Sequence, residues 1–258
     1  MTRLRRAGCV FAEEEARLLV AHAADPAMLA EMVRRRLDGV PLEQVLGWVD
    51  FGGLRIGVQP GVFVPRRRTE LLAERAVAAA RAVAAGGRTP VVVELCCGSG
   101  AVSAVLLAAL DHVELYASDV DPVAVRCARG NLGERAHVVL GDLYGGLPAA
   151  LAGRVDVLVA NAPYVPLAEL ALMPPEARLY EPPSALSGGD DGLDVLRGVI
   201  AGAPAWLAAG GTLVVEAGAI QVDGISALMA GAGLRPTTVR SAERGATAVI
   251  GNLDAGPY

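Results

Sequence analysis

From Val91 to Asn252 the chain alternates short β-branched apolar runs with segments whose apolar residues recur at helical spacing. No other feature constrains the fold as strongly. VVVEL at 91–95, VELYASD at 113–119, HVVLGD at 137–142, VDVLVAN at 155–161 and GGTLVVEAG at 210–218 read as strands. SGAVSAVLLAAL, PVAVRCARGNL and DVLRGVIAGAPAWLA read as helices; a further helix is expected over 221–232, then two short strands, LRPTTVR and ATAVIGN. Strands joined through crossover helices form right-handed units, so an α/β fold with a mostly parallel, doubly wound sheet is expected. Ligands of such sheets bind beyond the carboxyl ends of the strands.

Composition agrees with that class. The 258 residues are 53% hydrophobic but only 4% aromatic, so the apolar content is Ala, Val and Leu, suited to helices on a parallel sheet. The length accommodates one large domain with a small appendage rather than two full domains. A mean hydropathy of +0.43 invites a membrane reading. The longest charge-free run, Gly198 to Val215, is broken by Pro204, Gly210 and Gly211, short of the roughly 20 residues a span needs. No membrane partner is expected. The N-terminus lacks an apolar signal region before Glu13, which points to a cytoplasmic protein. Cys9, Cys96, Cys97 and Cys127 suit neither a disulfide framework nor a zinc site, and His22, His112 and His137 are scattered; no metal is expected. With a formal charge of −5, nucleic acid is not a favoured partner, although a local basic patch is compatible with it.

Ahead of the alternating region, residues 11–23 and 26–39 carry apolar residues at helical spacing, among them Leu18, Leu19, Met28, Met32, Val33 and Leu37. Asp25-Pro26 is an N-cap followed by proline at the first helical position. DFGGLRIGVQPGVFVP, punctuated by Gly52-Gly53 and Pro60-Gly61, reads as a hairpin, and Thr69 is expected to cap a helix running to about Ala85.

Chemistry concentrates at the strand ends. Glu94-Leu95-Cys96-Cys97-Gly98-Ser99-Gly100 joins the first strand to a helix, where glycine lets a ligand approach and the helix terminus offers free amides. Asp119, 19 residues after Gly100, is placed to accept from ribose hydroxyls, and Asp142 to reach the neighbourhood of an adenine. The third glycine of a dinucleotide fingerprint is replaced by Ser103. An acid three residues before CGSG fits a cofactor with a cationic amino-acid tail and no pyrophosphate, namely S-adenosylmethionine. Plain turn glycines and strand-end acids are the alternative. Cys96 and Cys97 read as small packing residues rather than nucleophiles.

The fourth strand ends in Asn161-Ala162-Pro163-Tyr164. An amide nitrogen is a poor nucleophile because its lone pair is delocalised. The Asn161 side-chain oxygen and the Ala162 carbonyl are suited to accept its two N–H groups and aim it at a methyl donor, with Tyr164 packed on the planar group. An asparagine that merely caps a turn before proline is the competing reading. Arg66, Arg67 and Arg68 read either as a solvated charge run or as an entrance for an acidic or RNA-associated partner. The long connection containing YEPP and GGDDG reads as a cover over the site, with plain turn chemistry as the alternative.

Taken together, ELCCGSG, SDVDPVAVRCARGN, GDLY, NAPYVP, YEPPSALSGGDDGLDVLR and GGTLVVEAG resemble the PrmC/HemK family of protein-(glutamine-N(5)) methyltransferases. The resemblance runs from about Pro41 to Asn252, and Pro65, Arg66, Thr69 and Glu70 match the family's PR-x-x-TE segment. It implies a class I S-adenosylmethionine-dependent fold, Rossmann-like with a mostly parallel seven-stranded sheet. The expected organisation is a substrate-docking helical region at 1–45, a hairpin linker at 46–65 and the catalytic domain at 66–258. The implied cofactor residues are Glu94, Cys96, Gly98, Gly100, Asp119, Val120, Asp142, Leu143 and Asn161. The implied acceptor residues are Asn161, Ala162, Pro163 and Tyr164, joined by Arg66, Thr69 and Glu70. The implied substrate is the GGQ glutamine of a peptide-chain release factor, acted on by a monomer. Two departures stand out: the family's NPPY is NAPY here, and the helical appendage is shorter than in typical members. Alternatives are an exocyclic base amine of RNA or DNA, a small-molecule amide or amine, and a non-catalytic cofactor-binding protein.

Overall fold

The computed structural model describes residues 2–6 and 8–255. Four helices, α1 (Thr2–Arg6), α2 (Ala12–His22), α3 (Pro26–Leu37) and α4 (Leu42–Leu46), precede a hairpin of β1 (Trp48–Phe51) and β2 (Leu54–Gly57). Asp25 caps α3 as expected, its side chain accepting from the Met28 amide at 2.8 Å. The appendage buries Leu4, Leu19 and Met32 in a core of its own, while Leu18 and Met28 face solvent. The short helices α1 and α4 lie outside the expected elements because one turn carries too little periodicity to read.

The main body continues with α5 (Glu70–Ala85), β3 (Val91–Leu95), α6 (Ala101–Ala109), β4 (Glu114–Asp119), α7 (Pro122–Leu132), β5 (His137–Leu140) and β6 (Val155–Ala160). After a long excursion containing α8 (Pro175–Tyr180) come α9 (Asp194–Trp206), β7 (Leu207–Glu216), α10 (Val222–Gly231), β8 (Leu234–Ser241) and β9 (Ala246–Leu253). Thr69 does not cap α5. It ends a 3-10 turn with φ −68° and ψ −14° and makes no capping bond, because the backbone is already helical there, whereas a capping side chain needs an extended residue.

The seven strands are ordered β5-β4-β3-β6-β7-β9-β8, parallel except for β9, which runs antiparallel to both neighbours. β3 and β6 are buried along their whole length, as continuous Val/Leu runs in the centre of a parallel sheet must be. One apolar core packs α5, α6, α7 and the hairpin on one face, and a second packs α9 and α10 on the other. The order reverses between β3 and β6, so the loops leaving these strands diverge and open a crevice at their carboxyl ends. Register aligns what lines it: Leu95 pairs with Ser118 and Ala160, and Asp119 with Leu140, so Cys96, Asp119 and Asn161 stand in one row at the carboxyl end of the sheet, with Gly141 one residue beyond.

Candidate active site

A cavity opens at this switch point. It is lined by Glu94, Cys96, Gly98, Asp119, Val120, Asp142 and Leu143 at one end and by Arg66, Thr69, Asn161, Ala162, Pro163 and Tyr164 at the other. Of the residues expected at the site, only Gly100 and Glu70 lie outside this lining. Gly100 has φ +75°, and a Cβ there would come 3.0 Å from Leu132 of α7, so its task is close packing of the loop on that helix. Gly98 is different: its φ is +55° and a Cβ would project into open space, which makes the loop a cradle that tolerates close approach from the cavity. Glu70 accepts from the Gly52 amide at 3.2 Å and pairs with Arg244 at 3.3 Å, tying the hairpin and the β8–β9 turn to α5.

Glu94 does more than end a strand. Its Oε2 accepts from the Ser103 amide at 2.9 Å and from the Ser103 hydroxyl, so it satisfies a free N–H in the first turn of α6, where Gly100 has no side chain to offer. Burial pushes its carboxyl up from 4.5 to about 7; the Ser103 bonds oppose that rise and the nearby Asp119 charge adds to it. Asp119 accepts from the Gly98 amide at 2.8 Å and the Asp121 amide at 2.9 Å, which fixes both oxygens at the cavity edge. Its pKa is raised by burial, opposed by these backbone bonds. These residues fit S-adenosylmethionine: two carboxylates for an ammonium group and a ribose, and a glycine whose missing side chain leaves room beside them. Burial also pushes the Cys96 and Cys97 thiols well up, consistent with packing residues and not nucleophiles.

At the other end, the Asn161 amide nitrogen donates to the Thr69 hydroxyl at 3.4 Å. The opposite face of the carboxamide, its oxygen, is thereby left as an acceptor. The Tyr164 hydroxyl donates to Glu216 Oε1 at 2.9 Å, and the Arg68 guanidinium lies 5.7 Å over the Tyr164 ring while its Nε donates to the same Glu216 oxygen at 3.1 Å. Burial, with the Glu216 charge beside it, raises the Tyr164 hydroxyl above its ordinary value and keeps it a neutral donor. Residues 165–187 leave this loop and return to it, with Val165 bridging Ser187, and Met173, Pro182 and Leu186 roof the cavity. The part of the expected cover around Pro182 is therefore at the cavity, whereas residues 188–192 lie outside its lining.

Three contributors escaped the sequence reading. Asn131 of α7 clasps the hairpin to the glycine loop: its side chain accepts from the Gly57 amide at 2.8 Å and donates to the carbonyls of Gly57 at 2.9 Å and Ser99 at 2.8 Å. Glu181 accepts from the Val64 amide at 3.1 Å and from Arg66 at 2.6 Å, and Glu216 closes β7 beneath Tyr164. For Glu181 and Glu216 the only local signal was an acid at a loop or strand end without an indication of its partner, and Asn131 in the last turn of α7 carried none.

Comparison with known proteins agrees with this geometry. Residues 54–172 match the family model "Methyltransferase small domain". A 4-amino-L-phenylalanine/4-methylamino-L-phenylalanine methyltransferase from Streptomyces pristinaespiralis is 35% identical over 86% of this chain and 81% of its own length. A release factor glutamine methyltransferase from Cereibacter sphaeroides is 35% identical over 92% of this chain and 89% of its own. In fold, the chain matches a 16S rRNA methyltransferase from T. thermophilus, solved in complex with AdoMet and guanosine, at a TM-score of 0.56 and 18% identity, over 80% of this chain and 49% of that one. The relatives align over most of their own length and of this one: the chain belongs to the release factor glutamine methyltransferase family and is an S-adenosylmethionine-dependent N-methyltransferase.

Proposed function

We propose that the methyl group goes to the side-chain amide nitrogen of a protein glutamine, and that a release factor supplies that glutamine in the cytoplasm. The observation that carries this reading is the orientation of Asn161, whose nitrogen is engaged by Thr69 so that its oxygen is left to accept an N–H. The relatives that bear the name release factor glutamine methyltransferase support the choice of protein. When bound, the cofactor supplies a methyl carbon made electrophilic by a sulfonium. The chain's own residues do the rest by position. Asn161 and the Ala162 carbonyl accept the two amide protons, which turns the nitrogen lone pair toward the methyl carbon. Tyr164, locked by Glu216, bounds the planar group. No base is needed before transfer, because the nitrogen becomes acidic only as it is methylated and then releases its proton to water. Holding two reactants in line contributes on the order of 7 to 11 kcal/mol in favourable systems. The helices α1–α4 form the docking region for the protein substrate in this reading.

A second acceptor is favoured by a specific observation: the Streptomyces relative is named for an aromatic amine of a free amino acid. Replacement of the first proline of the family's NPPY by Ala162 also loosens the clamp toward other nitrogens. Incubation with methyl-labelled cofactor and a release factor, its Gln-to-Ala variant, total RNA and 4-amino-L-phenylalanine separates these readings. Label on the wild-type factor and not on the variant is expected; label confined to RNA or to the free amino acid sinks the proposal.

A further inference from the structure

The three consecutive arginines after Pro65 do not behave alike. Arg67 points outward, 74% exposed, and meets Glu243 at 3.4 Å. Arg66 and Arg68 turn inward and line the acceptor end of the cavity. Each is held from behind by a carboxylate that is almost wholly buried: Glu181, side chain 0% exposed, and Glu216, 4% exposed. Both contacts are single-point. Arg66 uses Nη2 and Arg68 uses Nε, and the second oxygen of each glutamate is buried with no hydrogen-bond partner among the described residues. A guanidinium has five N–H donors in a planar fork, so most of each fork remains without an acceptor among the described residues. Phe63 beneath Arg66, at 5.1 Å, and Tyr164 beneath Arg68, at 5.7 Å, hold the planes in place. Burying two glutamates is costly, and beyond the Val64 amide and the Tyr164 hydroxyl it is these two arginines that meet them. What the arrangement achieves is two forks held in place along the cavity wall.

We propose that the acceptor molecule carries a carboxylate in addition to its reactive nitrogen, and that Arg66 and Arg68 bind that carboxylate. This rests on the reading that the reactive nitrogen sits at Asn161. A carboxylate fits better than a phosphate, because the two arginines and two glutamates cancel and the cluster can absorb one negative charge more readily than two. That chemistry has two sources, an acidic side chain next to the acceptor glutamine in a peptide and the α-carboxylate of a free amino acid.

The test titrates the full chain, loaded with S-adenosylhomocysteine, with matched probes. One set is the blocked peptides Gly-Gln-Gly, Glu-Gln-Gly and Gly-Gln-Glu; the other is 4-amino-L-phenylalanine and its carboxamide. In at least one set the carboxylate member is expected to bind about tenfold more tightly or better, the value of a charge-assisted hydrogen bond. Which set responds identifies the source. Arg66→Gln and Arg68→Gln should each abolish the preference, and Arg67→Gln should keep it. Because Gln leaves a buried glutamate unpaired, Arg68→Lys serves as the second variant. It retains the charge opposite Glu216, but without the fork the preference should fall by several-fold. Equal binding within both sets, or a preference that survives Arg66→Gln and Arg68→Gln, overturns the proposal. The same probes are then incubated with the chain and S-adenosylmethionine: a carboxylate preference without methylation of any probe upholds the subsite and removes the glutamine reading, and methylation of neutral Gly-Gln-Gly with no preference does the reverse.

Discussion

Glu94 is both a cap for α6 and a wall of the cavity, and the two positions set its proton affinity. The Ser103 bonds favour the anion, yet burial outweighs them and leaves the carboxyl at about 7. Since this lies above its ordinary 4.5, the folded chain holds a proton there that the unfolded chain has lost, so stability from this group declines as pH rises from about 4.5 to about 7. A cationic ammonium group requires the anion. Binding of S-adenosylmethionine should therefore release a proton and tighten several-fold from pH 6 to pH 8. Titration calorimetry in buffers of different ionisation enthalpy measures that proton; Glu94→Gln should bind more weakly and without the pH dependence. A wild-type affinity that is flat across this range would show that Glu94 does not meet the charge. Thr69 makes a second residue-scale prediction. Thr69→Val removes the acceptor that orients the Asn161 amide and should lower kcat by roughly ten- to hundredfold, with cofactor affinity unchanged, while Thr69→Ser should restore it. A Val variant with normal kcat would mean that Asn161 is oriented by something else.

Among the elements, the hairpin and the cover show how far the site depends on segments distant in sequence. β2 reaches the glycine loop through Asn131, 74 residues away, and the cover reaches the appendage through Tyr180, whose hydroxyl donates to the Asp38 carbonyl at 2.7 Å, and through Glu176, which pairs with Arg36 at 2.8 Å. Asn131→Ala removes three backbone contacts at once and should cost about 1 to 3 kcal/mol, read by urea denaturation, and weaken cofactor binding because Ser99 loses its tether. A stability within about 0.5 kcal/mol of wild type would place the hairpin's anchorage elsewhere. The strands β3 and β6 were legible because Val91–Leu95 and Val155–Ala160 are short apolar runs that end at chemistry-bearing residues, and a parallel sheet puts such ends together. Asn131, Glu181 and Glu216 were not, since each acquires its task only from a partner brought in by tertiary folding: Glu181 from Val64, 117 residues away, and Glu216 from Tyr164, 52 away. Thr69 was legible as a residue before a helix and misread in its role, because the preceding 3-10 turn that removes the capping geometry leaves no mark in composition.

For the molecule as a whole, the cavity sits on the seam between the two cores. Leu95 and Ala160, at the ends of β3 and β6, both belong to the core under α9 and α10, while Cys97 of the following loop and Ala101, the first residue of α6, belong to the opposite one. A ligand in the crevice thus touches segments packed on both faces of the sheet, and it finds them assembled only in the folded state. Binding must then stabilise the fold by mass action: about 2.7 kcal/mol at a hundredfold excess over Kd, which for a chain of this size is a rise in Tm of roughly 5 to 10 °C. The Glu94 linkage adds a signature that a general stabiliser lacks. At one fixed cofactor concentration the rise should be larger at pH 8 than at pH 6, and Glu94→Gln should make the two equal. Thermal melts of the full chain with and without S-adenosylmethionine at the two pH values decide it. An unchanged Tm at saturating cofactor would remove the nucleoside site from the switch point, and a rise that is larger at pH 6 would reverse the sign assigned to Glu94.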